Sequence, residues 1–261
     1  MMKTKEIINY IVTWLSEYSE KSKTNGFVVG ISGGVDSAVT STLCAKTGKN
    51  VIVLNMPIRQ HSAEYERANE HIAWLKKNFE NVTSHEVELT PVFEELERTL
   101  PSGIQDWLTM ANARARLRMT TLYAFASHHK MLVAGTGNKI EDFGVGFFTK
   151  YGDGGVDISP IADLVKTEVY TLAKELGIVE SIQKAAPTDG LWADGRSDED
   201  QIGATYPELE WAMEFLENPQ NFSDLTPRQR EVLDIYERLH KANLHKMQPI
   251  PVCKIPENLK K

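Results

Sequence analysis

The residues with the clearest chemical potential lie in a short glycine-rich loop. Positions 30–37 read Gly-Ile-Ser-Gly-Gly-Val-Asp-Ser and overlap the end of an apolar run at 27–31. Two adjacent glycines let the backbone approach a phosphate closely, and N–H groups there and at a following helix N-terminus can donate hydrogen bonds to it. Ser32 and Ser37 add hydroxyl donors. Asp36 would repel a polyphosphate unless Mg²⁺ lay between them, so the loop predicts a nucleotide site with Mg²⁺.

Two common phosphate-binding patterns differ from this loop. The chain lacks the G-x-x-x-x-G-K-S/T string of P-loop NTPases at this point, and it lacks the G-x-G-x-x-G string of dinucleotide-binding folds. The structural alternative is a plain strand-to-helix turn with Asp36 or Ser37 as the N-cap. A lone Gly-Gly pair would favour that turn, whereas the full string after a buried strand favours the ligand site.

The pattern of strands and helices around this loop predicts an α/β fold. Apolar runs predict strands at 27–31, 51–54, 82–89 and 130–134. Helical spacing of apolar residues predicts helices at 3–22, 36–47, 62–79, 106–129 and 165–176, with a last helix starting at the capping box Thr226-Pro227-Arg228-Gln229. Alternating strands and helices indicate an open, mostly parallel sheet with helices on both faces. Clusters of Gly, Asp and Pro predict loops at 144–160 and 186–207.

Composition narrows the class of protein. The chain has 261 residues and a formal net charge of −7, from 29 Lys+Arg against 36 Asp+Glu. An acidic balance argues against a nucleic-acid partner, because phosphate backbones need a basic face. Cys44 and Cys253 are too few for a disulfide framework or a metal cluster, and no apolar stretch is long enough to cross a membrane. We therefore expect a cytoplasmic protein that binds neither nucleic acid nor membrane.

Several strings together resemble a known enzyme family. The Ser-Gly-Gly-x-Asp-Ser string resembles the signature of the ATP pyrophosphatases, which split ATP between its α- and β-phosphates. Further segments, in order and spacing over about residues 3–252, resemble ammonia-dependent NAD⁺ synthetases. They are Asn112-Ala113-Arg114-Ala115-Arg116-Leu117-Arg118-Met119, Gly135-Thr136-Gly137-Asn138-Lys139-Ile140-Glu141, Lys150-Tyr151-Gly152-Asp153-Gly154-Gly155, Pro187-Thr188-Asp189-Gly190-Leu191-Trp192 and His245-Lys246.

The resemblance implies a fold, a reaction and a domain arrangement. The fold is the Rossmann-like one of the adenine nucleotide alpha-hydrolase type. The reaction is the ATP-dependent amidation of deamido-NAD (nicotinic acid adenine dinucleotide) with ammonia, through an acyl adenylate, to give NAD, AMP and pyrophosphate. Because the resemblance begins near residue 3, we expect residues 1–261 to form a single synthetase domain without a glutaminase domain. It also implies a homodimer, with Trp107, Leu108 and Met110 near the interface, although their pattern alone would equally suit the core.

The resemblance assigns roles to individual residues. It implies that Asp36 and Glu141 hold Mg²⁺, and that Asp36, Lys166 and Thr188 act in catalysis. It places ATP against Gly30, Ile31, Ser32, Gly33, Gly34, Val35, Asp36, Ser37, Arg59, Thr136, Lys166 and Thr188. It places deamido-NAD against Arg116, Lys150, Asp157, His245 and Lys246.

Other interpretations remain open from the residues alone. A different adenylating ATP pyrophosphatase, such as a tRNA-thiolating enzyme or GMP synthetase, is one alternative, and a non-catalytic nucleotide sensor is another. Arg114 and Arg118 fit structural salt bridges as well as ligand contacts. The acids at 198–200 suggest a solvated stretch or a helix N-terminus. The tripeptide at 205–207 suggests a turn before a helix.

Overall fold

A parallel sheet forms the centre of the protein. The computed structural model describes residues 2–188, 197–218 and 225–260. Four strands lie in the order β3-β2-β1-β4 and all neighbours are parallel. The strands are β1 (Gly26–Gly30), β2 (Asn50–Asn55), β3 (Val82–Glu86) and β4 (Leu132–Val133). Parallel neighbours require crossover connections, which here contain helices, so the predicted α/β class is confirmed.

The strand ends differ from the sequence-based expectation in two places. Beyond β3, the N–H groups of Val87 and Leu89 still donate to the carbonyls of Asn55 and Pro57, so the alternating pattern continues past the regular strand. The last strand is shorter than the predicted 130–134, because only two residues pair with β1. Ala134 instead forms a parallel bridge with Ile158, which brings the segment after residue 155 to the edge of the sheet.

Ten α-helices are present in the part of the chain that the structure describes. The first five are α1 (Thr4–Lys21), α2 (Val35–Lys46), α3 (Ser62–Asn78), α4 (Thr90–Thr99) and α5 (Trp107–His129). The next five are α6 (Lys166–Glu175), α7 (Glu180–Gln183), α8 (Asp198–Ile202), α9 (Tyr206–Glu217) and α10 (Pro227–Met247). A π-helical segment spans Ile140–Val145, and short 3₁₀ turns lie at Ser102–Ile104 and Glu257–Leu259.

Side chains of the strands point alternately to two apolar cores, as a sheet covered on both faces requires. Phe27 and Val29 of β1 pack with α1, α2, α3 and α6 on one face. Val28, between them, packs on the opposite face with Phe93 of α4 and Leu122 of α5. All three β1 residues are fully buried. The alternation explains why the strand reads as a continuous apolar run.

A third apolar cluster lies beside the sheet. It joins the π-helical segment to α8, α9 and α10 through residues such as Ile140, Leu209 and Tyr236. The predicted capping box starts α10: the Thr226 side chain accepts from Gln229 N, and Gln229 Oε1 accepts from Thr226 N. This layer holds α8 and α9 against the end of the sheet that carries the glycine-rich loop.

Three expectations need correction. Helix α4 was not expected; a strand was predicted to run to residue 89, directly before it. The predicted loop at 186–207 contains α8, and the predicted loop at 144–160 begins inside the π-helical segment. Residues 189–192 of the expected motif lie outside the described residues. Within those residues, no helix is long and apolar enough to cross a membrane.

Candidate active site

The glycine-rich loop connects the end of β1 to the start of α2. Gly33 has φ +84°, and a Cβ there would lie 2.5 Å from the carbonyl oxygen of Glu64, so only glycine fits. Ser32 Oγ lies 3.1 Å from Ser37 Oγ and accepts a hydrogen bond of 3.2 Å from Gly34 N. Ser37 Oγ donates to Gly34 O at 3.0 Å. These contacts hold the loop in a tight turn.

The loop opens into a cleft of about 540 Å³. The cleft lies beyond the carboxyl ends of the strands, where open parallel sheets bind ligands. Its lining combines residues from the sheet, α5, α6, α8 and α10. Among the predicted site residues, those lining it are Gly30, Ile31, Ser32, Gly33, Gly34, Val35, Asp36, Ser37, Thr136, Glu141, Lys166, Thr188 and Lys246.

An ion cluster stands at the centre of this cleft. Lys166, the first residue of α6, is only 3% exposed. Its Nζ donates to Asp36 Oδ2 at 2.5 Å and to Glu141 Oε1 at 3.1 Å. The other oxygen of Asp36 accepts from Asn138 Nδ2 at 3.3 Å. The three charged residues come from α2, α6 and the π-helical segment, and together they bring both predicted metal carboxylates to one point.

Burial shifts the pKa values within the cluster. Desolvation by burial raises the pKa of Asp36; nearby Lys166 opposes this shift, and Glu141 adds to it. Desolvation alone would lower the pKa of Lys166, but Asp36 and Glu141 outweigh it and raise that pKa. Lys166 therefore stays charged at neutral pH. The Lys166 cation favours the ionised form of Asp36, against the effect of burial on its pKa.

Acidic groups outnumber the cation around the cluster. Burial, with Glu141, Asp153 and Asp36 close by, raises the pKa of Asp142 to about 8. Burial also raises the pKa of Asp153. Asp36 and Glu141, which meet at Lys166, are hard carboxylate donors, and such oxygens suit a divalent cation such as Mg²⁺. The donor set formed by Asp36 and Glu141 therefore fits the predicted metal.

Tyr206 belongs to this cluster but was expected only as part of a turn. Its hydroxyl donates to Glu141 Oε1 at 2.5 Å and lies 3.5 Å from Asp198 Oδ2. Its ring lies under Lys166, with Nζ 4.7 Å from the ring centroid. The helix N-terminus predicted at 198–200 is confirmed, since α8 starts there. A solvated stretch is wrong for Asp198, which is buried at 6% exposure and lines the cleft.

Arg118 is a second cleft residue that the sequence left undecided. Its Nε donates to Met56 O at 3.0 Å, which fixes the guanidinium beside the end of β2. Burial, and Arg114 close by, lower the pKa of Arg118 to about 10, so it is still a cation at neutral pH. Arg114 instead lies over the ring of Phe93 at 5.7 Å. The two arginines thus have different surroundings on α5.

Four of the residues predicted to bind the dinucleotide lie together. Arg116 donates from Nε and Nη2 to the backbone oxygen of Lys150, at 3.3 and 3.2 Å. Lys150 Nζ donates to the backbone oxygen of His245 at 2.6 Å. Next to His245, Lys246 donates to the carbonyls of Gly146 and Phe148. These contacts join α5, the loop at 146–150 and the end of α10.

Of these four residues, only Lys246 lines the cleft, and the last two predicted ligands, Arg59 and Asp157, do not line it either. The Arg59 guanidinium donates to Glu97 Oε2 at 2.7 Å and Glu94 Oε1 at 3.3 Å, both on α4. Asp157 accepts from Tyr123 Oη at 2.9 Å and Val133 N at 2.8 Å. The Asp157 carboxylate therefore secures the segment beside β4. A ligand role for Arg59 or Asp157 stays a prediction.

Comparisons with known proteins identify the family of the chain. The NAD synthase family model matches residues 7–250. An NH(3)-dependent NAD(+) synthetase of Mycoplasma genitalium is 40% identical, covering 88% of this chain and 90% of that protein. Among solved structures, NMN synthetase from Francisella tularensis matches with a TM-score of 0.84 and 32% identity, covering 98% of this chain and 100% of that chain. NH3-dependent NAD synthetase from Campylobacter jejuni matches with a TM-score of 0.80 and 26% identity, covering 97% and 100%. The chain belongs to the NAD synthase family.

Proposed function

We propose that this protein is an ammonia-dependent NAD⁺ synthetase that amidates deamido-NAD at the expense of ATP. The observation that carries the proposal is the Asp36–Lys166–Glu141 cluster beside the glycine-rich loop, in a chain of this family. A carboxylate is a poor acyl donor, so it must first receive a leaving group. A site with N–H donors, a lysine and two converging carboxylates has the parts that adenylation by ATP requires.

The first step joins the two substrates. An oxygen of the nicotinate carboxylate attacks the α-phosphorus of ATP, and the bond from that phosphorus to the oxygen bridging to the β-phosphate breaks. Pyrophosphate leaves and an acyl adenylate remains. Backbone N–H groups and serine hydroxyls of the loop at 30–37 would hold the phosphates, with Thr136 alongside. Lys166 and Thr188 would donate hydrogen bonds near the α-phosphate, where negative charge builds up in the transition state.

Asp36 and Glu141 would hold the metal ion, which we propose to be Mg²⁺. When bound, such an ion neutralises phosphate charge and orients the oxygens around the reacting phosphorus. In the structure, Lys166 contacts both carboxylates, so its single positive charge is shared between them. Contact between Lys166 and a phosphate would require its ammonium group to turn away from at least one of the two carboxylates.

The second step forms the amide. The nitrogen of ammonia attacks the acyl carbon, the bond between that carbon and the AMP oxygen breaks, and the nitrogen loses a proton. Water is the competing nucleophile, and its attack would waste ATP. The apolar parts of the cleft lining, such as Met56, Met119 and Leu122, reduce the space available to water beside the glycine-rich loop.

The dinucleotide would lie along the cations at the mouth of the cleft. Arg116, Lys150, His245 and Lys246 join three elements there, and the positive charge of the arginine and the two lysines suits the pyrophosphate of deamido-NAD. Asp157 supports the same region by holding the chain next to β4. We propose that Arg59 contacts ATP only after its guanidinium releases Glu94 or Glu97.

We also propose a homodimer and a cytoplasmic location. Ile104, Trp107 and Leu108, at the start of α5, are 50%, 37% and 61% exposed. Trp107 and Leu108 also line the cleft, so a second copy packed there would contact the substrates. Sedimentation velocity at micromolar concentration measures the oligomeric state, and a monomer would contradict the dimer. The location stays a prediction from the sequence.

A second candidate function is the amidation of a mononucleotide. The match to the Francisella tularensis NMN synthetase, with a TM-score of 0.84, favours it. The same adenylation chemistry would then act on nicotinic acid mononucleotide, which lacks the adenosine half of the dinucleotide. The cleft must still accept ATP and a nicotinate carboxylate, so the two functions differ only in the distal contacts.

One assay separates these possibilities. Purified protein receives ATP and Mg²⁺, either deamido-NAD or nicotinic acid mononucleotide, and either ammonium or glutamine. Products are separated by chromatography, and NAD⁺ is also read with alcohol dehydrogenase. We expect NAD⁺ from deamido-NAD with ammonium and little from glutamine. A higher kcat/KM for the mononucleotide would replace the first proposal with the second. Absence of amide product from both substrates, in folded protein that binds ATP, would overturn both.

A further inference from the structure

Tyr206 is a buried polar residue that has no role in the reaction steps proposed above. It is 2% exposed and begins α9, where Thr205 caps the helix and Glu199 Oε1 accepts from the Tyr206 backbone N–H. Its side chain is therefore placed by two helix starts, those of α8 and α9. From this fixed position it reaches the ion cluster in the cleft, which is 65 residues earlier in the chain at Glu141.

The phenol acts on one oxygen of Glu141. Oε1 accepts from Tyr206 at 2.5 Å and from Lys166 at 3.1 Å. Among the residues that the structure describes, none donates a hydrogen bond to Oε2. Two donors on one oxygen fix the rotation of the carboxylate, and they leave the other oxygen available to a cation.

The ring acts on Lys166. The ammonium group lies 4.7 Å from the ring centroid, within the range of a cation–π contact. Lys166 must leave Glu141 or Asp36 when it turns to a phosphate, as the proposed function requires. Tyr206 is then the remaining donor to Glu141 in the described part of the chain, and its ring face still supports the lysine.

We propose that Tyr206 is a positioning residue, which holds Glu141 in the orientation that binds the metal ion and supports Lys166 beside it. The inference deepens the proposed function and rests on it for the metal role of Glu141. Tyr206 itself does not line the cleft, so it acts through Glu141 and Lys166. Loss of a hydrogen bond to a metal-binding carboxylate lowers metal affinity by about ten- to a hundredfold in general.

The test measures metal binding directly. Free Mn²⁺ is titrated by electron paramagnetic resonance in the presence of α,β-methylene-ATP, which cannot be cleaved at the α-phosphate. We expect Tyr206→Phe to weaken Mn²⁺ binding by about tenfold. Tyr236→Phe is the matched control, because Tyr236 is also a buried tyrosine, 5% exposed, but lies on α10. It should leave Mn²⁺ affinity unchanged.

A second pair of variants shows whether Tyr206 acts through Glu141. In a Glu141→Gln background, Tyr206→Phe should weaken Mn²⁺ binding by less than about twofold, since the carboxylate it orients is gone. Nucleotide affinity in EDTA should be the same for wild type and Tyr206→Phe. Full additivity of the two substitutions, or wild-type Mn²⁺ affinity in Tyr206→Phe, would overturn the proposal.

The proposed function fails by a different result. Wild-type protein that makes no amide product contradicts the reaction, whatever Tyr206 does. Wild-type protein that makes NAD⁺ while Tyr206→Phe binds Mn²⁺ normally contradicts only the positioning role. Thermal melting accompanies each titration, and Tyr206→Leu, which removes the ring as well, should weaken binding further than Tyr206→Phe.

Discussion

Replacement of Lys166 by methionine removes the cation between two buried carboxylates and keeps an unbranched side chain. Nζ lies 2.5 Å from Asp36 Oδ2 and 3.1 Å from Glu141 Oε1, and the residue is 3% exposed. Loss of one partner of a buried ion pair costs about 3–5 kcal/mol, because the remaining charge is uncompensated. Asp36 can take up a proton, since burial already raises its pKa. We therefore expect the lower end, a loss of about 3 kcal/mol in unfolding free energy.

Urea unfolding at pH 7, followed by circular dichroism, measures this loss in EDTA. Millimolar Mg²⁺ should restore part of it, because an ion that binds only the folded state stabilises that state. NAD⁺ formation should fall by roughly a hundredfold or more with or without this rescue, since the donor near the α-phosphate is absent. Lys184→Met is the control: its ion pair with Glu180 is exposed, so stability should change by less than about 0.5 kcal/mol.

Two results would refute the reasoning. Stability of Lys166→Met in EDTA equal to that of Lys184→Met would show that the buried pair contributes no stability. NAD⁺ formation within about fivefold of wild type, a change of only about 1 kcal/mol in the barrier, would remove Lys166 from the chemistry. Loss of activity without loss of stability would leave the catalytic role intact and contradict only the stated energy.

Three further predictions concern other residues of the site and its support. Asp36→Asn should lower turnover by roughly a hundredfold, which corresponds to the loss of about 3 kcal/mol of charge stabilisation. Calorimetry in EDTA should show that the variant still binds ATP. Unchanged turnover would show that Asp36 does not hold the metal ion. Gly48→Ala should lower the unfolding free energy by about 1–2 kcal/mol, because Gly48 has a positive φ, and Gly33→Ala should lower it by more. Gly33 also has a positive φ, but a Cβ there would lie 2.5 Å from a backbone oxygen, whereas none is near Gly48. Equal urea midpoints for the two variants would contradict this prediction. Burial lowers the pKa of His71 from 6.5 to about 4, and its Nε2 lies 3.0 Å from Ser41 Oγ. The unfolded state then binds the proton first, so the stability that His71 contributes is full above pH 6.5 and falls by up to about 3 kcal/mol towards pH 4. Urea unfolding of His71→Gln, which has no imidazole to titrate, should show a smaller loss of stability over this pH range, and parallel profiles for the two proteins would contradict the prediction.

The parts of the fold that the sequence predicted are those set by local patterns. Helix α1 was expected at 3–22 and runs from Thr4 to Lys21, because its apolar stripe is continuous and faces the sheet. The start of α10 follows from a capping box whose partners lie three residues apart. The glycine-rich loop belongs to the same class, since the positive φ of Gly33 is a property of the turn itself. Each of these signals lies within one element.

The metal carboxylates needed more than local information. No short-range pattern distinguishes Glu141 from an ordinary surface acid; the resemblance to a family singled it out. The structure brings it to Asp36 because the π-helical segment begins just beyond β4, next to β1, whose following loop carries Asp36. Parallel neighbours place their carboxyl ends at one edge of the sheet, so the strand order decides which acids meet. That order was not readable from the spacing of the strands.

Arg59 and Tyr206 each pair with a partner that the sequence did not reveal. Helix α4 was not predicted, so its Glu94 and Glu97 could not be foreseen as the partners that hold Arg59. Helix α9 was expected, but the contact it makes was not, because the hydroxyl of Tyr206 pairs with a residue 65 positions away. In both cases the side-chain type was visible and its partner was not. The contacts of a charged or polar side chain depend on the groups that the fold places around it. Glu94 and Glu97 hold Arg59 away from the cleft lining, and Glu141 accepts the hydrogen bond that joins Tyr206 to the ion cluster.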